Sequence, residues 1–203
     1  MGLDSYLYLE KSYWDSEISR RFTAEREWRD THEKGEEIPD DLEFEHLEYP
    51  KEIEDIIFGG ENGKYIEDAV GKGKNTTVSY SIGYWRKMWP IHEWIVNNCA
   101  DGVDECQQIY MTKNQVEILG NVCKYRACGL GKFKTKYYDP KMGMSTEKEY
   151  ELPTDDYHHE SWGDPEYEKW YRQELMYTWN LCQRILKTLE VDDAYKVIYQ
   201  ASW

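Results

Sequence analysis

The segment Ser81-Ile82-Gly83-Tyr84-Trp85-Arg86-Lys87-Met88-Trp89-Pro90-Ile91-His92-Glu93-Trp94 sets three tryptophans beside an arginine, a lysine and a histidine in an otherwise acidic chain. Those residue types supply what a pocket for a flat anion needs. Arg86 offers a planar fork for phosphate or carboxylate, Lys87 adds a point charge, and His92 donates or accepts a hydrogen bond near neutral pH. Trp85 or Trp89 gives a face on which a base can stack, with Tyr84 alongside. The candidate ligand-binding residues are therefore Tyr84, Trp85, Arg86, Lys87, Trp89 and His92. The ligand they suit is small, anionic and nucleotide-like, and is bound without turnover. The same residues also suit a core, with Trp85, Trp89 and His92 inside and Arg86 and Lys87 facing solvent.

A hydrolase is the alternative that uses acid and base. His92 with Asp104 or Glu105, or His158-His159-Glu160 with Asp155 and Asp156, would supply them or hold a metal. The chain carries no H-E-x-x-H and no G-x-S-x-G, and Gly59 to Lys64 has the wrong spacing for a phosphate loop, so no residue is given a catalytic role. Cys99, Cys106, Cys123, Cys128 and Cys182 form no C-x-x-C pair, which predicts free thiols. Cys123 and Cys128 with His158 and His159 would be a metal set of a spacing unlike structural zinc sites. Neither a metal nor a cofactor is called for.

The elements that must position these residues follow from periodicity and punctuation. Leu3 to Tyr13 alternates aromatic and aliphatic residues and reads as an opening strand; Ser16 to Asp30 has helical composition. Glycines at 59–63 and at Gly71 and Gly73 mark turns, and Thr76 to Ile82 reads as a strand. From Tyr84 the apolar spacing turns helical, with Tyr84, Met88, Ile91 and Ile95 on one stripe. Pro90 requires that this helix start near Met88 or kink there. Thr112 and Gln115 form a capping box ahead of a helix over 113–125. Asp164-Pro165 opens a long helix with a wide apolar stripe, and 194–203 reads as a last strand. The expected fold is α+β: a small, mostly antiparallel sheet of N-terminal, central and C-terminal strands, with three or more helices packed on it.

At 203 residues, 15% of them aromatic, the chain is long enough for one folded domain spanning 1–203. Ala24 to Asp55 holds 14 Asp and Glu against 4 Lys and Arg, and reads as an acidic insertion at about 24–55. A formal charge of -15 opposes direct contact with nucleic acid, which needs clustered cations. It suits a basic protein partner, so a second reading is an acidic protein-directed inhibitor of the DNA-mimic type. The start lacks a secretion signal and no window approaches 18 apolar residues, so a cytoplasmic protein with no membrane contact is expected.

Four stretches carry a family likeness: Met1-Gly2-Leu3-Asp4-x-Tyr6-Leu7-Tyr8, Ile82-Gly83-Tyr84-Trp85-Arg86-Lys87 with Ile91-His92-x-Trp94, Leu152-Pro153-Thr154, and Tyr199-Gln200-Ala201-Ser202-Trp203. Together they resemble a family of small phage and bacterial proteins of no settled activity, over nearly the whole chain. Met88, Trp89 and Pro90 stand where that family has small residues. The resemblance implies a bacteriophage accessory protein in the cytoplasm of an infected bacterial cell, where such proteins often counter host immunity. The nucleotide-like ligand would then be an immune signalling nucleotide, held and not hydrolysed.

Overall fold

A computed structural model describes residues 2–42, 50–58, 66–72, 74–139, 144–155, 161 and 163–203. In chain order the elements are β1 (Asp4–Trp14), α1 (Glu17–Thr31), a π-helical turn (Glu52–Ile57), β2 (Ile66–Lys72), β3 (Asn75–Arg86), α2 (Trp89–Cys99), β4 (Ile109–Met111), α3 (Lys113–Ala127), β5 (Phe133–Asp139), β6 (Met144–Tyr150), α4 (Pro165–Val191) and β7 (Lys196–Ser202). Five strands form an antiparallel sheet in the order β2-β3-β1-β7-β4, and β5 pairs with β6 in a second sheet. The N-terminal, central and C-terminal strands are neighbours in the larger sheet, and the fold is α+β.

Contacts cluster the chain into two units. One comprises Leu7–Gly83 and Thr188–Ile198, the other Met1–Tyr6, Tyr84–Lys187 and Tyr199–Trp203. In the first unit, Leu7 and Leu9 alternate with half-buried Tyr8 and Glu10, the period-two signature of a strand with one core face. Val78, Tyr80 and Ile82 do the same on β3. The β2–β3 ladder runs up to Lys72 opposite Asn75. Helix α1 begins where the Ser16 hydroxyl accepts from the Ser19 amide at 3.1 Å, while Ser19 Oγ donates to the Tyr13 carbonyl at 2.9 Å.

The acidic stretch is built into this unit at both ends. Ala24 to Thr31 is the second half of α1, and the π-helical turn buries Ile53 and Ile57. Tyr195 donates to Glu52 Oε1 at 3.0 Å, and Lys11 bonds Asp192 with Glu52 at 3.8 Å. Burial works against the Lys11 ammonium, but the Asp192 hydrogen bond and the surrounding negative charge outweigh it and raise its pKa. Residues 43–49 of the acidic stretch and the glycine turn at 59–63 lie outside the described residues.

In the second unit the structure corrects one sequence expectation. Tyr84, Trp85 and Arg86 do not begin a helix; they finish β3, with Trp85 buried between exposed Tyr84 and Arg86. Two aromatic residues and an arginine fit a strand as well as a helix turn, and period two wins here because it buries Trp85 alone. Lys87 ends the strand with a positive φ of 60°, its amide donating to the Leu3 carbonyl at 2.7 Å. Met88 is the N-cap of α2, so Pro90 falls in the first turn where its missing N–H costs nothing. The alternative that the helix starts near Met88 is the one realised.

The other helices follow their punctuation. Thr112 and Gln115 form the full capping box of α3. Helices α3 and α4 meet closely at Gly120, where a Cβ would come 2.8 Å from Cys182 Cβ. The β5–β6 hairpin, absent from the sequence reading, sets Lys134 opposite Glu149 and Lys136 opposite Glu147. Among the described residues, no helix is long and apolar enough to cross a membrane.

Candidate functional site

The alternation of β3 separates the residues of the aromatic–cationic block. Tyr84 and Arg86 lie on one face of the strand, where the Tyr84 hydroxyl donates to Asp4 Oδ1 at 2.6 Å and Arg86 Nε stands 4.0 Å from the same oxygen. The Arg86 side chain is 71% exposed, so water screens that pair. Lys87 is exposed in the left-handed turn that follows. Trp85 points the other way, into the core, and donates from Nε1 to Thr178 Oγ1 on α4 at 2.8 Å.

His92 belongs to a different group. Its Nε2 is 3.0 Å from Asp104 Oδ2 and its Nδ1 is 2.8 Å from the Tyr199 hydroxyl. A carboxylate accepts only, so Nε2 carries the proton and Tyr199 donates to Nδ1. Trp89 meets the ring edge-on at 5.9 Å and Trp203 lies at 5.4 Å. Burial keeps the Tyr199 hydroxyl protonated by raising its pKa, and at 0% exposure that oxygen reaches no substrate. The Asp104–His92–Tyr199 line therefore fastens the start of α2 to β7 and to the loop before β4. Trp85 and His92 are thus packed inside, Trp89 is half-buried, Arg86 and Lys87 are outside, and the block does not close on one pocket.

A cavity of about 400 Å³ lies elsewhere in the same unit, between the C-terminal half of α3, the loop after it, Glu151-Leu152 and the first turns of α4. It draws on none of the six residues of the block. Its base is apolar: Val122, Ala127, Leu152 and Leu175 are all buried. Its mouth is charged, with Arg126 on α3, Arg172 and Glu168 on α4, and Glu151 after β6, all exposed. Such a volume and such a mixture of apolar floor with a few polar groups are those of small-molecule sites.

Sequence periodicity explains why these side chains meet. On α4, Tyr167, Tyr171 and Leu175 recur every four residues, as do Glu168 and Arg172, so two adjacent stripes face the cavity. Val122 and Arg126 have the same spacing on α3. Helix α3 then stops, because Gly129 takes a positive φ of 67° just beyond the cap and turns the backbone along the cavity wall.

Two phenols line the site. Tyr167 donates to the fully buried carboxylate of Asp155 at 2.6 Å, and burial followed by this bond raises its pKa. Burial pushes Tyr171 up to about 12, with the Arg126 guanidinium beside its hydroxyl pulling the other way. Both remain hydrogen-bond donors at neutral pH. Neither Arg126 nor Arg172 makes an ion pair with a carboxylate among the described residues, whereas Glu151 has Lys132 at 3.7 Å. Among the described residues, two guanidiniums without a carboxylate ion pair thus stand at an apolar-floored cavity, with Arg126 beside the Tyr171 hydroxyl.

The remaining candidates are placed as follows. All five cysteines are free; Cys123 and Cys182 are buried and Cys128 is exposed. Among the described residues, no group of three His, Cys, Asp or Glu is arranged to hold a metal, and His158, His159, Asp156 and Glu160 lie outside them. No family model matches the chain, and neither a curated protein nor a solved structure does. The cavity arginines were missed in the sequence because each sits alone among helix-surface residues; the hint was Gly120, the small residue that lets α3 approach α4.

Proposed function

We propose that the protein binds and sequesters a small, anionic, nucleotide-like ligand without turning it over, and that it holds this ligand in the α3–α4 cavity and not on the Tyr84–His92 block. The observation that carries the reading is the pair Arg126 and Arg172 at the mouth of an apolar-floored cavity of about 400 Å³, with no carboxylate partner among the described residues. In a chain of 25 Lys and Arg against 40 Asp and Glu, an arginine has carboxylates at hand, and two at one concavity without a carboxylate ion pair among the described residues favour an anion supplied from outside. In this reading the phenols beside the cavity are kept protonated by burial, and Tyr171 acts as a hydrogen-bond donor to the ligand. The setting that goes with this reading is the cytoplasm of an infected bacterial cell, where a phage accessory protein of this kind would withdraw a signalling nucleotide from a host defence.

The test is direct. The protein is purified from bacterial cells under phage attack, denatured by heat, and the released small molecules are identified by mass spectrometry alongside Arg172→Ala and Arg86→Ala variants. Wild type and Arg86→Ala are expected to release the same anion, and Arg172→Ala to release none. Release that depends on Arg86 and not on Arg172 would return the site to the aromatic–cationic block and remove the cavity reading.

A further inference from the structure

We infer that the α3–α4 cavity selects a nucleotide carrying a single negative charge, of the phosphodiester class, over a nucleoside polyphosphate; the inference rests on the ligand-binding reading above. Charge bookkeeping at the mouth is the first ground. Arg126 and Arg172 contribute two positive charges and Glu151 and Glu168 two negative ones, while Lys132 beside Glu151 and the buried Asp155 carboxylate behind Tyr167 offset each other. The helix ends offset each other as well. Arg126 and Ala127 are the last residues of α3, whose terminus carries partial negative charge, while Tyr167 and Glu168 stand near the start of α4, whose terminus carries partial positive charge. A mouth of nearly zero net charge holds one phosphate group against one or both guanidinium forks but gains nothing from further phosphates.

The rest of the molecule acts in the same direction. With a formal charge of -15, each additional negative charge on a ligand meets a repulsive field that is screened only over about 8–10 Å. Sites that hold polyphosphates answer that cost with glycine-rich loops of backbone amides and a lysine. Here the loop has Gly129 and Gly131, but the lysine that follows, Lys132, is paired with Glu149 at 3.9 Å and Glu151 at 3.7 Å, and there is no Gly-Lys-Ser or Gly-Lys-Thr sequence.

The carboxylates say what else the ligand presents. Glu151 and Glu168 accept hydrogen bonds and donate none when ionised, so they match N–H and O–H groups such as an exocyclic amine or a sugar hydroxyl. The buried floor of Val122, Leu152 and Leu175 calls for a flat apolar body. A base and sugar carrying a single phosphodiester charge meet all three demands. A triphosphate meets only the floor.

The experiment measures binding by calorimetry to the full chain without divalent metal. The probes are the 3′,5′-cyclic monophosphates and the 5′-triphosphates of the four common nucleosides, in 50 and 300 mM NaCl. The best cyclic monophosphate is expected to bind roughly tenfold tighter than its triphosphate at low salt, with the gap narrowing at high salt. In the Glu151→Gln/Glu168→Gln double variant, checked for folding by circular dichroism, the triphosphate is expected to gain roughly fivefold relative to the cyclic form. A triphosphate that binds wild type as tightly as the cyclic form, or a selectivity unmoved by the double variant, overturns the inference and leaves sequestration standing. Binding of none of the probes also overturns it. In that event an anion released on heating by wild type and not by Arg172→Ala keeps the cavity reading, and an empty release removes both.

Discussion

Replacing His92 and Tyr199 by phenylalanine, singly and together, tests whether the buried line from Asp104 to Tyr199 fastens α2 or merely accompanies its packing. His92→Phe keeps an aromatic ring of similar size and removes both hydrogen bonds. The Tyr199 hydroxyl, buried at 0% exposure, then loses the acceptor it has at 2.8 Å, which costs about 1–3 kcal/mol. Asp104 loses a partner at 3.0 Å, but its side chain is 36% exposed and water replaces it at little cost. The expected loss for His92→Phe is therefore about 2 kcal/mol. Tyr199→Phe leaves Nδ1 as a buried acceptor without a donor and costs about 1–2 kcal/mol by the same reasoning. The double variant has neither orphan, so it is expected to cost less than the sum of the singles by about 2 kcal/mol. Urea unfolding at pH 7 followed by tryptophan fluorescence reads this directly, since Trp89 and Trp203 both lie against the His92 ring. Additivity of the two singles within about 0.5 kcal/mol would show that the imidazole and the phenol do not share a hydrogen bond, and the fastening argument would fall.

Two further outcomes bear on the frame around the site. Gly120→Ala places a Cβ 2.8 Å from Cys182 Cβ and forces α3 from α4, so a loss of about 1–3 kcal/mol in urea is expected, together with a weaker hold on any ligand retained through purification; unchanged stability would refute the close approach. Asp192→Asn reports on acid stability: the Lys11 hydrogen bond holds the Asp192 carboxyl below its usual range, so the wild-type advantage is present above the ordinary carboxylate pKa of about 3.9 and is lost as pH falls through the lower folded value. Urea midpoints of wild type and variant are thus expected to differ at pH 6 and converge towards pH 2.5, and a gap independent of pH would contradict the assignment.

How far the fold was legible follows from what each element writes into one dimension. Strand β1 shows period two, α3 shows its Thr112–Gln115 box, and α4 keeps an apolar residue every three or four positions over its whole length; each signal is local, and each element stands close to where the sequence puts it. Tyr84 to Arg86 shows no helix or strand bias because two aromatic residues satisfy either period, and the deciding fact, the burial of Trp85 against Thr178, is a contact across 93 residues. The β5–β6 hairpin carries its logic in pairs such as Lys134 and Glu149, which are 2.5 Å apart across the strands but read as an unpatterned charged run along the chain. The candidate site suffers the same limit twice over. The aromatic–cationic block is dense in sequence and dispersed in space, while the cavity gathers single residues from α3, α4 and the segment after β6.

The placement of cations separates a binding surface from a solubilising one. Lys134 lies between Glu147 and Glu149, Lys11 is fixed by Asp192 and Glu52, and Lys124 caps the Trp179 ring at 4.5 Å. Each of these cations is satisfied from within the chain, as expected where carboxylates outnumber cations, and none has reason to recruit a ligand. Arg86 is intermediate, highly exposed with Asp4 at 4.0 Å, and an anion bound there would have to compete with water on an open strand end. Arg126 and Arg172 differ in lining a cavity whose floor is buried and apolar, so the proposed anion would meet them at a lower effective dielectric than on an open strand end. If the excess acid of this chain served only to keep it in solution, those two arginines would be the easiest of its cations to neutralise by a neighbouring carboxylate. That they instead line a concavity, with Glu151 paired to Lys132, is why the proposed reading expects Arg172→Ala and not Arg86→Ala to abolish release of an anion.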